Sequence, residues 1–414
     1  MRQQSPRAGQ GWIFDSFLKL TDDEEVLHAG IMGVRLERGF KYADMERVFG
    51  RVSGRRSFPR AWAREAAKQE GLAAEALAGG RRVTAGQHFH RAALYYGRAQ
   101  HLIPVDGHPT KIEYHGAAMR CYAGLMDALD GAITRHEIAF EDGQKVYVLF
   151  HRAPGAGPRP TVLHAPGMDQ IKEDFPNPYN NEFARRGINI CVMDGPGQGE
   201  SNLNRVWQTL GNYGRAGSRV IDWLVERDDV DADRIAVFGT SMGTRYGVEI
   251  AADDRRVKAV VGKMANVGPS DVIYNQAQPN FKRIAMYMAG MADEEEFDRF
   301  TEERDTHFFA AGDRLACPYL LVAGDMDELC PPEDILAWME RLNCPKELWL
   351  YEDVFHPMGE VAADVYPAIA DWIAEVLDNG LPAARGEGAG PGWPCSTWGS
   401  AGGWPSGRRR NRRR

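Results

Sequence analysis

Apolar and polar positions change rhythm near residue 132, and the change divides the chain. Before it the spacing is helical. HFHRAALYYGRAQHLI, behind the second of two helix-start patterns, has apolar positions at Phe89, Ala92, Leu94 and Tyr95, with Leu102 and Ile103 further on. Thr21-Asp-Asp-Glu24 and Thr84-Ala-Gly-Gln87 both fit the reciprocal cap that satisfies free amides at a helix start. PRAWAREAAKQEGLAAEALAGG is Ala-rich and closes on Gly79-Gly80, which predicts a further helix. Residues 1–131 are therefore expected to form a helical domain, either a cap over a site or a docking module.

From 132 the pattern shortens. TRHEIAFEDGQKVYVLFHRAP alternates around Asp142-Gly143, the signature of an antiparallel hairpin. Apolar runs then recur between helical segments: TVLHAPG, INICVMDGPG, RIAVFGTS, VKAVVGKMA, YLLVAGD and KELWLYED. Runs of this length, bounded by Gly, Pro or Asp, are expected of strands buried in a parallel sheet with helices on both faces. The fold class is thus α/β, a mostly parallel sheet flanked by helices over 132–379, with 268–312 as an inserted pocket wall. Residues 380–414 hold nine glycines, have no period and end in RRRNRRR, so a disordered tail is expected there.

Composition narrows the function. Fifty Lys+Arg against 58 Asp+Glu give a net charge of −8, unlike a general nucleic-acid binder. No run approaches the roughly 18 apolar residues of a membrane span, and MRQQSPRAGQGWIFDSF has no apolar leader core. Six scattered cysteines without a CxxC pair and eleven histidines without HExxH give no reason to expect a disulfide framework or a metal. No cofactor motif is present either, since DGPGQGES is not GxGxxG. A cytoplasmic enzyme acting on a small molecule is the expectation.

The chemistry collects at strand ends, where ligands bind in such folds. Gly239-Thr240-Ser241-Met242-Gly243 follows RIAVF and precedes a helical segment, which is G-x-S-x-G in its strand-turn-helix setting. Ser241 is the expected nucleophile. A serine needs a base and the base needs an acid. His356 lies after the last core strand, and Asp327 is the favoured acid, with Asp325 and Glu328 as rivals in the same loop. The oxyanion amides are expected from Met242 and from Met168, just beyond Gly167. Tyr95, Tyr96 and Tyr274 are either pocket-lining or core aromatics.

HAPGMDQIKED, DGPGQGES, GTSMG, AGDMDELCPP and DVFHPMGE, in this order behind a helical domain, resemble one branch of the α/β-hydrolase superfamily. It is the branch of 2,6-dihydroxypseudooxynicotine hydrolase and of fungal enzymes that shorten polyketide chains. The likeness covers roughly residues 85–375, and Gln170-Ile171 stand where the branch usually has Ser-Thr. The resemblance implies a homodimer that hydrolyses a C–C bond beside a ketone, with Glu173 as an extra active-site carboxylate. An expelled carbon needs a proton that an ester's alkoxide obtains easily, which gives such a group its purpose. Glu173 as a plain first-turn helix acid is the competing reading. At the level of the whole protein, the alternatives are an ester hydrolase with the same triad and a non-catalytic scaffold.

Overall fold

A computed structural model describes residues 29–380 except Arg55, together with the backbone of 395–399. The Thr21–Glu24 pattern lies outside the described residues, as do most of the 380–414 segment and its terminal arginines.

Five helices open the described chain: α1 (Ile31–Arg38), α2 (Tyr42–Phe49), α3 (Phe58–Ala78), α4 (Arg82–His101) and α5 (Pro109–Ala128). α3 begins with Pro59 in its first turn, where no amide bond is lost, and stops at Gly79. α4 starts after Arg81, three residues before the expected cap at Thr84, with an exposed first turn, and its buried face begins at Ala85. Phe40, Trp62, Tyr95, Ala92 and Tyr122 form the core of this helical region. Ile171, Ile133 and Leu149 from beyond residue 131 join the same core, so the helices are welded to the rest of the molecule.

The sheet begins with a hairpin, β1 (Ile133–Ala139) and β2 (Lys145–His151), turning at Asp142 with φ 51°. Then follow β3 (Arg159–Ala165), α6 (Glu182–Arg185), β4 (Asn189–Asp194), α7 (Gly199–Leu203), α8 (Asn212–Val225), β5 (Val230–Thr240), α9 (Gly243–Asp253) and β6 (Val257–Lys263). The chain continues through α10 (Pro279–Ala289), α11 (Glu294–Arg314), β7 (Tyr319–Gly324), α12 (Pro332–Arg341), β8 (Lys346–Tyr351), α13 (Ala362–Asn379) and β9 (Cys395–Gly399). The strand order is β1-β2-β4-β3-β5-β6-β7-β8-β9, with β4 to β8 parallel as neighbours and both flanks antiparallel.

β9 corrects the expectation of disorder through 380–414. Cys-Ser-Thr-Trp-Gly pairs antiparallel with β8, and Thr and Trp favour a strand once a free sheet edge is available. A tail read in isolation gives no hint of that edge. α8, α9, α11 and α12 pack on one sheet face through Val220, Tyr246, Phe308 and Trp338. α6 and α13 cover the other through Phe183, Ile369 and Trp372. The near-continuous burial of β3 to β8 is what a sheet covered on both faces requires.

Candidate active site

β5 delivers Ser241 on a sharp turn into α9. Ser241 has φ 55°, a strained conformation for a residue with a side chain, and its amide donates to Lys263 O at 2.8 Å. The turn closes only because its flanks lack side chains. A Cβ on Gly239 would sit 2.0 Å from Gly243 O, and one on Gly243 would sit 1.9 Å from Ala165 O.

Ser241 Oγ lies 2.8 Å from His356 Nε2. His356 Nδ1 lies 2.9 Å from both carboxylate oxygens of Asp327. Asp327 is fixed in turn by the amides of Leu329 and Cys330, each donating to Oδ1 at 2.9 Å. Its two rivals do other things. Glu328 accepts the His356 backbone amide at 3.1 Å, and Asp325 continues the chain beside β8 through its amide to Tyr351 O. Burial alone would lower the His356 pKa, but the Asp327 carboxylate outweighs it and leaves the imidazole raised above 6.5. Such a series can take a proton from the serine and stabilise the imidazolium that results.

Met242 follows Ser241 at the start of α9, and Met168 lines the cavity above Ser241. The loop that carries Met168 is braced from two sides. Gln198 Nε2 donates to Pro166 O at 3.0 Å and Gly167 O at 2.7 Å, while its Oε1 accepts Tyr213 Oη at 2.6 Å. Gln170 Oε1 accepts the Gly167 amide at 3.1 Å. Gln198 lies inside DGPGQGES, a motif visible in the sequence whose bracing role only the fold discloses. Lys263 was equally silent: it is buried and donates to Pro357 O at 3.2 Å, pinning the residue after His356.

Ser241 and His356 open into a cavity of about 170 Å³. α1 and α4 form its roof with Val34, Arg35, Arg38, Arg98 and Leu102, and the 268–312 insertion supplies Ile273, Phe281 and Ile284. Tyr95, Tyr96 and Tyr274 are not on its wall. Tyr95 donates to Asp44 at 2.7 Å beneath Trp62, Tyr96 donates to Glu70 at 3.0 Å, and Tyr274 packs edge-on against Phe297. Apolar rings with one polar tip fit the core whenever the tip finds a partner, and all helical-face aromatics look alike in sequence.

Glu173 is not on the cavity wall either. It is buried behind the wall, 2.9 Å from Lys172 Nζ, which in turn meets Asp194 at 3.1 Å and Glu200 at 3.0 Å. Burial, with Asp194 adding to it and Lys172 opposing, pushes the Glu173 carboxyl up to about 7. The carboxylate that does line the cavity is its neighbour Asp174. Burial raises the Asp174 pKa although Arg38 and Arg98 pull it down. Asp174 reaches the cavity because Gly97 of α4 leaves room: a Cβ there would meet Ile171 Cδ1 at 3.0 Å and Asp174 Oδ1 at 3.2 Å. Among the described residues no cluster of His, Cys, Asp and Glu is placed to hold a metal ion, and no helix is long and apolar enough to cross a membrane.

The family described as Esterase FrsA-like matches residues 17–303, well over half of the chain. The chain belongs to the FrsA-like esterase family. A FrsA-like relative, Esterase FrsA of Escherichia coli O157:H7, is 28% identical over 300 residues, 70% of each chain. The 2,6-dihydropseudooxynicotine hydrolase of Paenarthrobacter nicotinovorans is 27% identical over 349 residues, 81% of this chain and 88% of the relative. With alpha/beta hydrolase xenA of Xenoacremonium sinensis the identity is 26%, and the match spans only 61% of that protein. The crystal structure of 2,6-dihydroxy-pseudo-oxynicotine hydrolase superposes with a TM-score of 0.74 at 24% identity, over 85% of this chain and 97% of that one. This FrsA-like protein therefore has the α/β-hydrolase fold, with helices ahead of the sheet, and is a hydrolase.

Proposed function

We propose that this protein is a serine hydrolase that cleaves a C–C bond beside a ketone in a small aromatic or polyketide-type 1,3-diketone. The observation that carries the serine chemistry is the unbroken hydrogen-bond series from Ser241 through His356 to Asp327. His356 Nε2 takes the Ser241 proton as Oγ attacks the carbonyl. The oxyanion rests on the Met168 and Met242 amides. Collapse breaks the bond to the adjacent carbon, which leaves as an enolate, and the proton that His356 took from Ser241 passes to that carbon by way of the Asp174 carboxyl, leaving His356 neutral again. Water, activated by His356, then releases the acyl group from Ser241 as an acid.

Asp174 supports the C–C reading over simple ester cleavage. A carboxyl that is raised by burial and faces the cavity can carry the proton an enolate needs. Glu173, enclosed with Lys172, supports the wall on which Asp174 sits rather than touching substrate. Ester hydrolysis with the same triad is the second reading, favoured by the family designation as an esterase.

The test is a matched pair, an aryl 1,3-diketone and an aryl ester of similar size, with Ser241→Ala as the blank. Faster diketone cleavage that is lost in Ser241→Ala supports the proposal. Ester cleavage with a series of diketones untouched would replace it with the second reading.

A further inference from the structure

The helical roof of the cavity is basic in a protein whose net charge is −8. Arg35 and Arg38 of α1 and Arg98 of α4 all line the cavity that holds Ser241, against Asp174 as the acidic residue there. Arg35 is 4% exposed, with its guanidinium 5.9 Å from the Trp62 ring, and Arg98 stands 5.2 Å from the Phe58 ring. Aromatic faces help hold both cations in place. Arg38 is half-buried; its Nε has no hydrogen-bond partner and it forms no salt bridge among the described residues, while Tyr366 and Asp174 interact with the rest of its guanidinium. A guanidinium with a donor to spare on the wall beside Ser241 can complete it on an anion.

Next to this cavity, and sharing Leu102 and Asn280 with it, runs an open groove of about 600 Å³. Arg56, Arg60 and Arg283 border it, along with His108, and no Asp or Glu does among the described residues. Arg56 and Arg60 are exposed and form no salt bridge among the described residues. A groove lined by one sign of charge that leads toward a pocket of the same sign concentrates its counter-ion and guides it inward.

We infer that the substrate carries a carboxylate, which enters along the Arg56–Arg60 groove and docks on Arg38 while its carbonyl reaches Ser241. This deepens the hydrolase reading by naming the chemical class on which it acts. The guanidinium fork matches a carboxylate in two parallel hydrogen bonds. Asp174 beside the arginines disfavours a doubly charged group such as a phosphate monoester. The cavity's size fits one ring and a short chain, since about 150 Å³ accommodates benzene.

The experiment measures binding of 4-acetoxybenzoate and its neutral isostere 4-acetoxybenzamide to the full-length Ser241→Ala protein by calorimetry at low salt. The carboxylate is expected to bind about 10- to 100-fold more tightly, as a charge-assisted hydrogen bond supplies. In Ser241→Ala/Arg38→Gln that preference should collapse to near unity, whereas Arg38→Lys should retain part of it. Should Arg38→Gln unfold, the Arg56→Gln/Arg60→Gln pair at the exposed rim gives the second reading: a weaker salt dependence of carboxylate binding. Equal affinities for the two probes, or binding of neither, overturns the inference. Because the nucleophile is absent, the outcome is separate from turnover. Wild-type protein that binds the carboxylate but cleaves nothing would sink the hydrolase reading and leave this one standing.

Discussion

Asp327 and His356 make the sharpest demand at the scale of single residues. Asp327→Asn leaves the shape of the acid intact but removes the charge that raises the His356 pKa and fixes its tautomer. Hydrolysis should fall by about 10⁴-fold, as loss of an orienting acid does in serine hydrolases. The pH dependence has a definite sign. His356 must be neutral to accept the serine proton, so kcat/KM is full at high pH and declines as pH drops through its raised pKa. The acid limb should thus lie above 6.5 in the wild type and move to lower pH in Asp327→Asn, measured on whichever substrate is turned over. Asp174→Asn separates the two reactions: diketone cleavage should fall by about 10²-fold or more, and ester cleavage by far less. Equal losses would show that Asp174 only shapes the wall.

At the scale of elements, the strand-turn-helix at Ser241 is the least tolerant piece. Gly239→Ala drives a methyl into the Gly243 carbonyl, so the turn must open and Ser241 must move. A loss of about 1–3 kcal/mol in unfolding stability, together with near-complete loss of activity, is the expected result. That piece was legible in the sequence, because small residues around a serine between an apolar run and a helix have few other uses. The hairpin at Asp142-Gly143 and the parallel strands were legible for the same reason, their period and punctuation being local. Strand β9 was not, since an edge strand depends on a partner 44 to 52 residues away in sequence. Nor was the placement of Asp174 rather than Glu173 on the cavity wall. Adjacent residues in a single helical turn point in different directions, and which one meets the cavity is decided by Gly97, more than seventy residues upstream.

The whole molecule shows why the site needs both halves. Ser241, Asp327 and His356 come from the sheet, but α1 and α4 roof the cavity they face. Trp62 is fully buried at the centre of the helical core, against Phe40, Phe49, Phe58 and Tyr95. Trp62→Ala should cost about 3–5 kcal/mol by chemical denaturation. It should also loosen substrate selectivity before it abolishes turnover, since Ser241, Asp327 and His356 are held outside the helical core.

Ile171 has its side chain in that helical core, while Gln170, one residue before it, holds the Gly167 amide of the loop that carries Met168. Ile171 and Gln170 thus tie the seating of the helices to the shape of the loop that carries Gly167 and Met168. A change that shifts the helical core is transmitted to the wall beside Ser241 across only a few residues, so the two halves of the chain are tuned together rather than separately.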